Sequence, residues 1–390
     1  MSNYFFTQGT CQGLRKVHPY FHTYKTYAKG RWLGRSLYDV FCREFQDQSP
    51  EYYRRAIQSG KIRVGGEKTS EDYLIQNGNV ITHDIHRHEP PVTDQEISIV
   101  HQDKEKGILI IDKPPSIPVH PSGRYQFNTV IHILQHTQGM GSLFPVNRLD
   151  RLTSGIMLLG TEKEAARRME LEMRERRVRK VYLARVLGRF PGEEGETIVC
   201  RERIRTAAHK VGLNVVDPIE GKECETHFRR LHYNGRTSLV ECLPRTGRTH
   251  QIRVHLLHLG HPIPNDPLYT HPKVRGLFVS DEAISIEDTV KALTHPQVPP
   301  SEDESSQEGG SESMIRQGER CPDCPQILLP DPHPDAMCIW LHALEYSLET
   351  GNEDGTSIAW KYRTKAPAWA KDTFIGDTQY GGKGNGDQTN

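Results

Sequence analysis

No run in the 390-residue chain approaches the roughly 20 apolar residues that a membrane-spanning helix needs. The N-terminal stretch MSNYFFTQGTCQGLRK also lacks an apolar core ending in a small-residue cleavage site, so a soluble, non-secreted protein is expected. Net charge is missing too: Lys plus Arg number 50 and Asp plus Glu number 50, a sum that gives no hint of a polyanion partner. Cysteine is sparse. Cys11, Cys42, Cys200, Cys224, Cys242, Cys321, Cys324 and Cys338 are scattered too widely for a disulfide scaffold and read as reduced, intracellular thiols. Neither a Walker loop nor a dinucleotide-binding glycine pattern occurs, which argues against nucleoside-triphosphate and NAD chemistry. A zinc nucleobase deaminase would need H-x-E with P-C-x-x-C; there is no H-x-E, and Cys321 follows Arg320.

What is present is 35% hydrophobic and 8% aromatic residues in 44.5 kDa, enough for folded domains joined by polar segments. The charge is unevenly placed. The stretch before Asp39 has six basic residues and no acid, which fits a mitochondrial presequence or an RNA-facing arm, and its Tyr, His and Phe content favours the arm. Residues 281–313 hold nine acids against Lys291, net −8, so the rest of the chain is +8 and the overall zero does not exclude an RNA partner. That acidic stretch, rich in Ser, Pro and Gly, reads as a disordered insertion.

Hydrophobic spacing organises the remainder. Leu37, Val40, Phe41 and Phe45 recur at helical intervals, and SPEYYRRAIQSG reads as a helix capped by Ser49, with Pro50 in its first turn and Gly60 at its end. KIRVGGE reads as a strand followed by a Gly-Gly turn, and NVITH as a second strand entered by the Asn77-Gly78 turn. Arg54, Arg55, Lys61 and Arg63 lie on the polar faces of this unit, as a solvated surface or as RNA contacts. GILIID reads as a buried strand and KPPSIPVHPSGR as a proline-braced loop. EKEAARRMELEMRERRVRK reads as a helix, VYLARVLG and TSLVECL as strands, and THQIRVHLLHLG as a helix with Thr249 as N-cap and Gly260 as stop. The irregular alternation predicts an α+β fold. Trp340, Leu341 and Leu344 in MCIWLHALEYSL read as core, and residues 377–390 as a flexible tail.

Four segments could carry chemistry: residues 113–124, 147–155, 181–186 and 245–256. In NRLDRLTSG, Asp150 stands between Arg148 and Arg151 and ahead of Thr153 and Ser154. On residues alone two readings stay open. The carboxylate can brace a turn through an ion pair and hydrogen bonds, or act as a nucleophile held by cations that also neutralise phosphate.

Together the four segments resemble the RluA-type family of pseudouridine synthases across nearly the whole chain. NRLDRLTSG looks like the catalytic motif, VYLARV the tyrosine-bearing strand, GRTHQIRVHL the basic motif and LHALEYSL the late core motif. Residues 34–92 resemble the S4-like RNA-binding domain that many members carry. KPPSIPVHPSGRYQFN, NRLD in place of HRLD, HRHEPPV at 86–92, RKVHPY and RWLGRSL resemble the eukaryotic branch that modifies position 32 of tRNA. Asn147 removes a His, so any role of that His is not carried over.

The resemblance implies that uridine is detached from C1′, rotated and rejoined through C5, with no cofactor. It implies Asp150 as nucleophile, at the ribose or through a glycal route. Tyr182 would stack on the flipped uracil or take the C5 proton. Arg248 would pair with Asp150, and Arg148 would fill the gap left in the RNA stack. RNA or substrate contacts are expected from Arg151, Thr153, His120, Arg124, Thr249, His250, Gln251 and Arg253, and in the S4-like unit from Arg54, Arg55, Lys61 and Arg63.

The expected organisation is a basic arm (1–33), an S4-like α/β domain (34–95), a catalytic domain (101–376) with a mixed, mainly antiparallel sheet interrupted at 281–313, and the tail. The expected partner is RNA, with tRNA foremost, and the chain is expected to be a monomer with no membrane and no nucleotide cofactor. The cytoplasm is the expected compartment, with mitochondrion or nucleus as alternatives. The competing function is an RNA-binding or RNA-folding protein on the same scaffold. No metal is expected: Cys321 and Cys324 have the spacing of a zinc knuckle, with His333 and Cys338 nearby, but a structural zinc wants a second recognisable pair. His250, His255, His258 and His261 spread around a helix, which suits packing or RNA contact better than a metal.

Overall fold

The computed structural model describes residues 4–6, 13–45, 48–193, 195–279, 285–294, 320, 321, 324, 328, 330–352 and 355–380. The chain divides into two units, Met1–Phe5 with Lys16–Pro90 and Gly310–Asp331, and Phe6–Arg15 with Pro91–Gly309 and Pro332–Asn390.

The smaller unit begins with β1 (Tyr20–Tyr27), followed by α1 (Leu37–Val40), which runs on into a π-helical turn, Phe41–Phe45. Then come α2 (Pro50–Gln58), β2 (Ile62–Val64), β3 (Glu67–Lys68) and β4 (Val80–Arg87). The cap expected at Ser49 forms, its hydroxyl accepting from the Tyr52 amide at 3.2 Å, and Ser36 does the same for Asp39. Trp32, Leu37, Phe41, Tyr53, Ile57, Ile62 and Ile81 make the core under the sheet, whose order is β1-β4-β2-β3. One expectation is overturned here. Residues 14–27 are not an arm: Leu14–Val17 is a short strand, and β1 pairs antiparallel with β4 along its whole length, from Tyr20 opposite Arg87 to Tyr27 opposite Val80. Its side chains are mostly exposed and show no apolar alternation, so backbone pairing rather than burial makes it a strand.

The larger unit opens with β5 (Ser98–Asp103) and β6 (Ile108–Lys113), in which Leu109, Ile110 and Ile111 are fully buried. Next come α3 (Val130–Thr137), β7 (Ser154–Gly160), α4 (Lys163–Arg174), β8 (Val178–Leu187) and β9 (Ile198–Cys200). A two-stranded ribbon, β10 (Ile204–Ala208) with β11 (Leu213–Val216), leads to β12 (Thr226–Tyr233) and β13 (Thr237–Pro244). Helices α5 (Gln251–His258), α6 (Pro272–Val279) and α7 (Ile286–Thr294) precede the long pair β14 (Leu341–Asn352) and β15 (Gly355–Arg363). The main sheet runs β9-β12-β13-β8-β14-β7-β6-β5, with β15 on β14. It is mixed and mainly antiparallel as expected, the parallel contact being β7 with β14.

That parallel contact positions the turn that carries Asp150. Gly155 has φ +114° and a Cβ there would stand 2.2 Å from the Ala343 carbonyl oxygen, so only glycine lets β7 start directly behind residues 147–153. Two boundaries differ from expectation. Within 281–313, α7 is a helix with Thr289 fully buried and Leu293 packed beside Val254, Leu257 and Val274; residues 281–284 and 295–313 lie outside the described residues. Asp377 is fully buried and accepts from Asn234 Nδ2 at 2.8 Å, so the fold extends past 376, while 381–390 lie outside the described residues.

Candidate active site

Asp150 is carried on the turn that enters β7, between the buried Leu149 and Leu152, with its carbonyl accepting from the Thr153 amide at 3.1 Å. The turn is fixed from below by Lys113, at the end of β6. Its fully buried Nζ donates to the carbonyls of Pro114 (2.8 Å), Ile117 (2.9 Å) and Arg151 (3.2 Å), tying the proline-braced loop to the Asp150 turn. Burial pulls this ammonium down to about 7, yet three carbonyl acceptors match the three hydrogens of the charged form.

The Asp150 side chain is 22% exposed and opens into a cleft lined by Arg148, Thr153, Lys180, Tyr182, Arg248 and Arg253, among others. Burial alone would raise its carboxyl, but His250 and Arg253 outweigh it and hold the group below the usual carboxylate range. His250 Nε2 is 3.7 Å away, and burial lowers that imidazole below its ordinary value, so at neutral pH Arg253 is the cation that holds Asp150 ionised.

The expected pairing of Arg248 with Asp150 is therefore corrected. Arg253 Nη1 donates to Asp150 Oδ2 at 2.9 Å, whereas Arg248 is exposed and donates from Nε to the Glu223 carbonyl at 3.2 Å. The cause is where α5 begins. His250, with φ +57°, breaks the chain direction, so the helix starts at Gln251 and its third residue, Arg253, faces inward. Thr249, expected to cap this helix, is exposed and does not. Instead the Gln251 Oε1 accepts from the Arg248 amide at 2.9 Å and from Thr246 Oγ1 at 2.8 Å. Gln251 Nε2 donates to Glu225 O and Thr226 Oγ1, so this buried amide holds the loop rather than reaching for RNA.

Behind Arg253 stand two residues that no sequence motif singles out. Asp266 is fully buried and takes Arg253 Nε at 2.6 Å and Nη2 at 2.9 Å, a two-point pair. Tyr269 lies with its ring 4.8 Å from the guanidinium and its hydroxyl 2.9 Å from His250 Nδ1. Against burial, which lowers it, Asp266 and Asp150 raise the Arg253 value, so its charge is permanent.

Tyr182, on β8, forms the adjoining wall, and its hydroxyl is 2.5 Å from that of the fully buried Tyr346. Asn147 links this pair to the turn: its Nδ2 donates to Tyr346 Oη at 3.3 Å and its Oδ1 accepts from the Leu158 amide at 3.0 Å. Burial pushes the Tyr182 phenol up to about 12, so it is protonated at neutral pH, which suits stacking on a base better than accepting a proton. Lys180, two residues earlier on the strand, also lines the cleft, a position that period-two alternation from Tyr182 could have flagged.

The remaining predicted residues are dispersed. Arg148 is exposed at the cleft mouth and Thr153 is buried in its wall, with Oγ1 lacking a hydrogen-bond partner among the described residues. Arg151 is exposed with its guanidinium 5.9 Å from the Tyr125 ring, and His120 and Arg124 are exposed outside the cleft lining. In the smaller unit, Arg54 pairs with Glu71 at 3.0 Å and Arg63 with Asp84, while Arg55 and Lys61 are exposed. His255, one of the four histidines near α5, is fully buried between Thr226 Oγ1 and the Glu202 carbonyl, each at 2.9 Å, a packing role. No helix among the described residues is long and apolar enough to cross a membrane.

The profile described as RNA pseudouridylate synthase matches residues 107–258, which include Asp150, Tyr182 and Arg253. The curated "tRNA pseudouridine(32) synthase, mitochondrial" of Saccharomyces cerevisiae is 41% identical over 363 residues, 92% of this chain and 77% of that protein. "Pseudouridylate synthase RPUSD2" of Mus musculus is 36% identical over 419 residues, 94% of this chain and 73% of that one. Among solved structures, Human RNA Pseudouridylate Synthase Domain Containing 1 is 21% identical, with a TM-score of 0.42 over 68% of this chain and 82% of that chain.

Proposed function

This chain belongs to the RNA pseudouridylate synthase family, and from that premise we propose that it converts uridine to pseudouridine at position 32 of tRNA, with Asp150 as nucleophile. It is an isomerase acting on RNA. The observation that carries the proposed assignment is the Asp150 carboxylate held ionised by Arg253 on the floor of a cleft that Tyr182 walls. The reaction breaks the C1′–N1 bond and forms C1′–C5; one proton leaves C5 and one is gained at N1. Both a direct attack at the ribose and a glycal route begin with an ionised Asp150, which the local field supplies at neutral pH. Tyr182 stacks on the extruded base and Arg148 occupies the gap in the RNA.

The choice of tRNA and of position 32 rests on the name of the yeast relative, together with the branch-like segments HRHEPPV and RWLGRSL. We further read the smaller unit as an S4-like RNA-gripping module working with a monomeric catalytic domain. Exposed Phe21, Tyr24 and Tyr27 on β1, with Lys25 among them, and exposed Arg55 and Lys61 suit stacking and phosphate contact. We read the cytoplasm as its compartment, with the mitochondrion, named for the yeast relative, as the alternative.

Tritium release from 5-labelled uridine in tRNA tests the assignment. Asp150→Ala is expected to abolish release while RNA affinity stays within a few fold, since one carboxylate contributes little to a phosphate-dominated interface. Wild-type release by the variant would refute the nucleophile. A wild-type chain that binds tRNA and releases no tritium would point to the RNA-binding reading, and mapping of the modified uridine decides the position.

A further inference from the structure

Cys321 and Cys324 acquire a second pair in the fold. We propose that His86, His88, Cys321 and Cys324 bind one structural zinc ion in the smaller unit. The four ligand atoms lie within 4.8 Å of one another. Cys321 Sγ is 3.4 Å from His86 Nδ1 and Cys324 Sγ is 3.3 Å from His88 Nε2. In a tetrahedral zinc site with usual Zn–S and Zn–N bond lengths, a sulfur and a nitrogen stand about 3.6 Å apart, so these two edges have nearly the size the ion needs.

Local structure explains how each pair is presented. His86 is on β4 and His88 follows its end; with Arg87 between them, the period of two places both imidazoles on one side. Arg87 faces elsewhere, buried, with its guanidinium 6.0 and 5.4 Å from the rings of Tyr20 and Tyr24. The two imidazoles stand edge to face at 4.9 Å, and the Phe21 ring backs His86 at 4.7 Å. Cys321 and Cys324 have the two-residue gap of a zinc knuckle, both are thiols, and Cys321 is buried. His333 and Cys338, the neighbours suggested by sequence, bond to Asp335 instead.

Donor chemistry selects the ion. Two thiolates and two neutral imidazoles form a borderline-soft tetrahedral set suited to zinc, not to magnesium or calcium, which take oxygen ligands. A two-iron cluster with this ligand set keeps its two cysteines on one iron and its two histidines on the other, which separates sulfur from nitrogen. Here each sulfur abuts a nitrogen, the arrangement around a single ion. Four protein ligands leave no open position, so the site is structural: it fastens Cys321 and Cys324 to the end of β4 across 235 residues of sequence, and its binding free energy becomes folding free energy.

The test is metal analysis of the tag-free, full-length protein purified without chelator. About one zinc per chain is expected, falling below about a tenth in Cys324→Ser and in His88→Ala and unchanged in the control Cys338→Ser. Two measurements on the wild-type chain do not depend on the variants folding. Cobalt substitution should give the visible absorption of a tetrahedral thiolate site, and zinc removal should open Cys321 and Cys324 to a thiol reagent, located by peptide mass mapping. A zinc-free chain whose melting temperature ignores added zinc, iron with acid-labile sulfide in its place, or full zinc content in both variants would overturn the proposal.

Discussion

Asp266 holds Arg253 at two points, Oδ2 to Nε at 2.6 Å and Oδ1 to Nη2 at 2.9 Å, leaving Nη1 to reach Asp150 at 2.9 Å. The guanidinium plane is thus fixed by a fully buried carboxylate before it meets the half-buried one. Asp266 is fixed in turn, because Oδ1 also accepts the amides of Leu268 at 3.0 Å and Tyr269 at 3.2 Å. Lysine in place of Arg253 could not serve both carboxylates in this geometry.

Asp266→Asn keeps the shape of that support and removes its charge. Because the Asp266 carboxylate bonds Arg253 and its own loop, the expected effect is a fall in kcat of about tenfold to a hundredfold from a misoriented Asp150, with KM for tRNA within a few fold. Removing that negative charge also leaves more of the Arg253 field to Asp150, so the acid limb of the kcat profile is expected to move to lower pH. Single-turnover tritium release across pH measures both. An unchanged kcat and acid limb would show that Asp266 merely fills space.

The smaller unit yields a prediction that separates its basic residues. Arg55 and Lys61 are exposed, whereas Arg54 and Arg63 are paired with Glu71 and Asp84. For every RNA phosphate that a variant no longer neutralises, the slope of log affinity against log salt should fall by about 0.7 to 0.9. Arg55→Ala with Lys61→Ala is expected to flatten the slope toward tRNA by up to twice that, and Arg54→Ala or Arg63→Ala to change it little. Wild-type slopes for all three variants would remove the unit from the RNA interface.

Much of this was legible in the sequence where the signal is local. The Ser49 cap, the GILIID strand and the NRLDRLTSG turn each depend on a few adjacent residues, and each forms as expected. Choosing between Arg248 and Arg253 needed the helix start, and that start follows from a left-handed His250 that no spacing rule announces. In α7 the apolar signal is present, Ile286, Val290 and Leu293 at helical intervals, but the acidic composition around it masks it. The quartet of His86, His88, Cys321 and Cys324 escaped for a different reason: each pair is weak alone, and only the fold brings them together.

Gly155→Ala tests how tightly the Asp150 turn depends on the parallel contact. The new methyl would stand 2.2 Å from the Ala343 carbonyl oxygen, which belongs to sheet backbone and cannot swing aside, and φ of +114° is itself unfavourable for alanine. A loss of several kcal/mol is expected by chemical denaturation, or failure to accumulate soluble protein. A variant with wild-type stability would mean that β7 and β14 can separate without cost.

His342 gives the fold a defined sensitivity to acid. It is buried beside that same contact, with Nδ1 2.8 Å from Ser154 Oγ and Nε2 2.8 Å from Thr364 Oγ1, and burial lowers its value to about 4. In the unfolded chain the group titrates near its ordinary value of about 6.5. The folded value is the lower one, so protonation favours unfolding: the contribution is complete above about pH 6.5, falls as pH drops, and is gone near pH 4. The shift corresponds to about 3 kcal/mol at its full extent. His342→Gln cannot titrate there and can still bond one of the two hydroxyls, so it is expected to be slightly less stable than wild type at pH 7 and to lose less on acidification. Urea unfolding of both proteins at several pH values between 7 and 4 reads the difference directly, since the carboxylates common to both cancel. Parallel stability curves would place the acid sensitivity elsewhere.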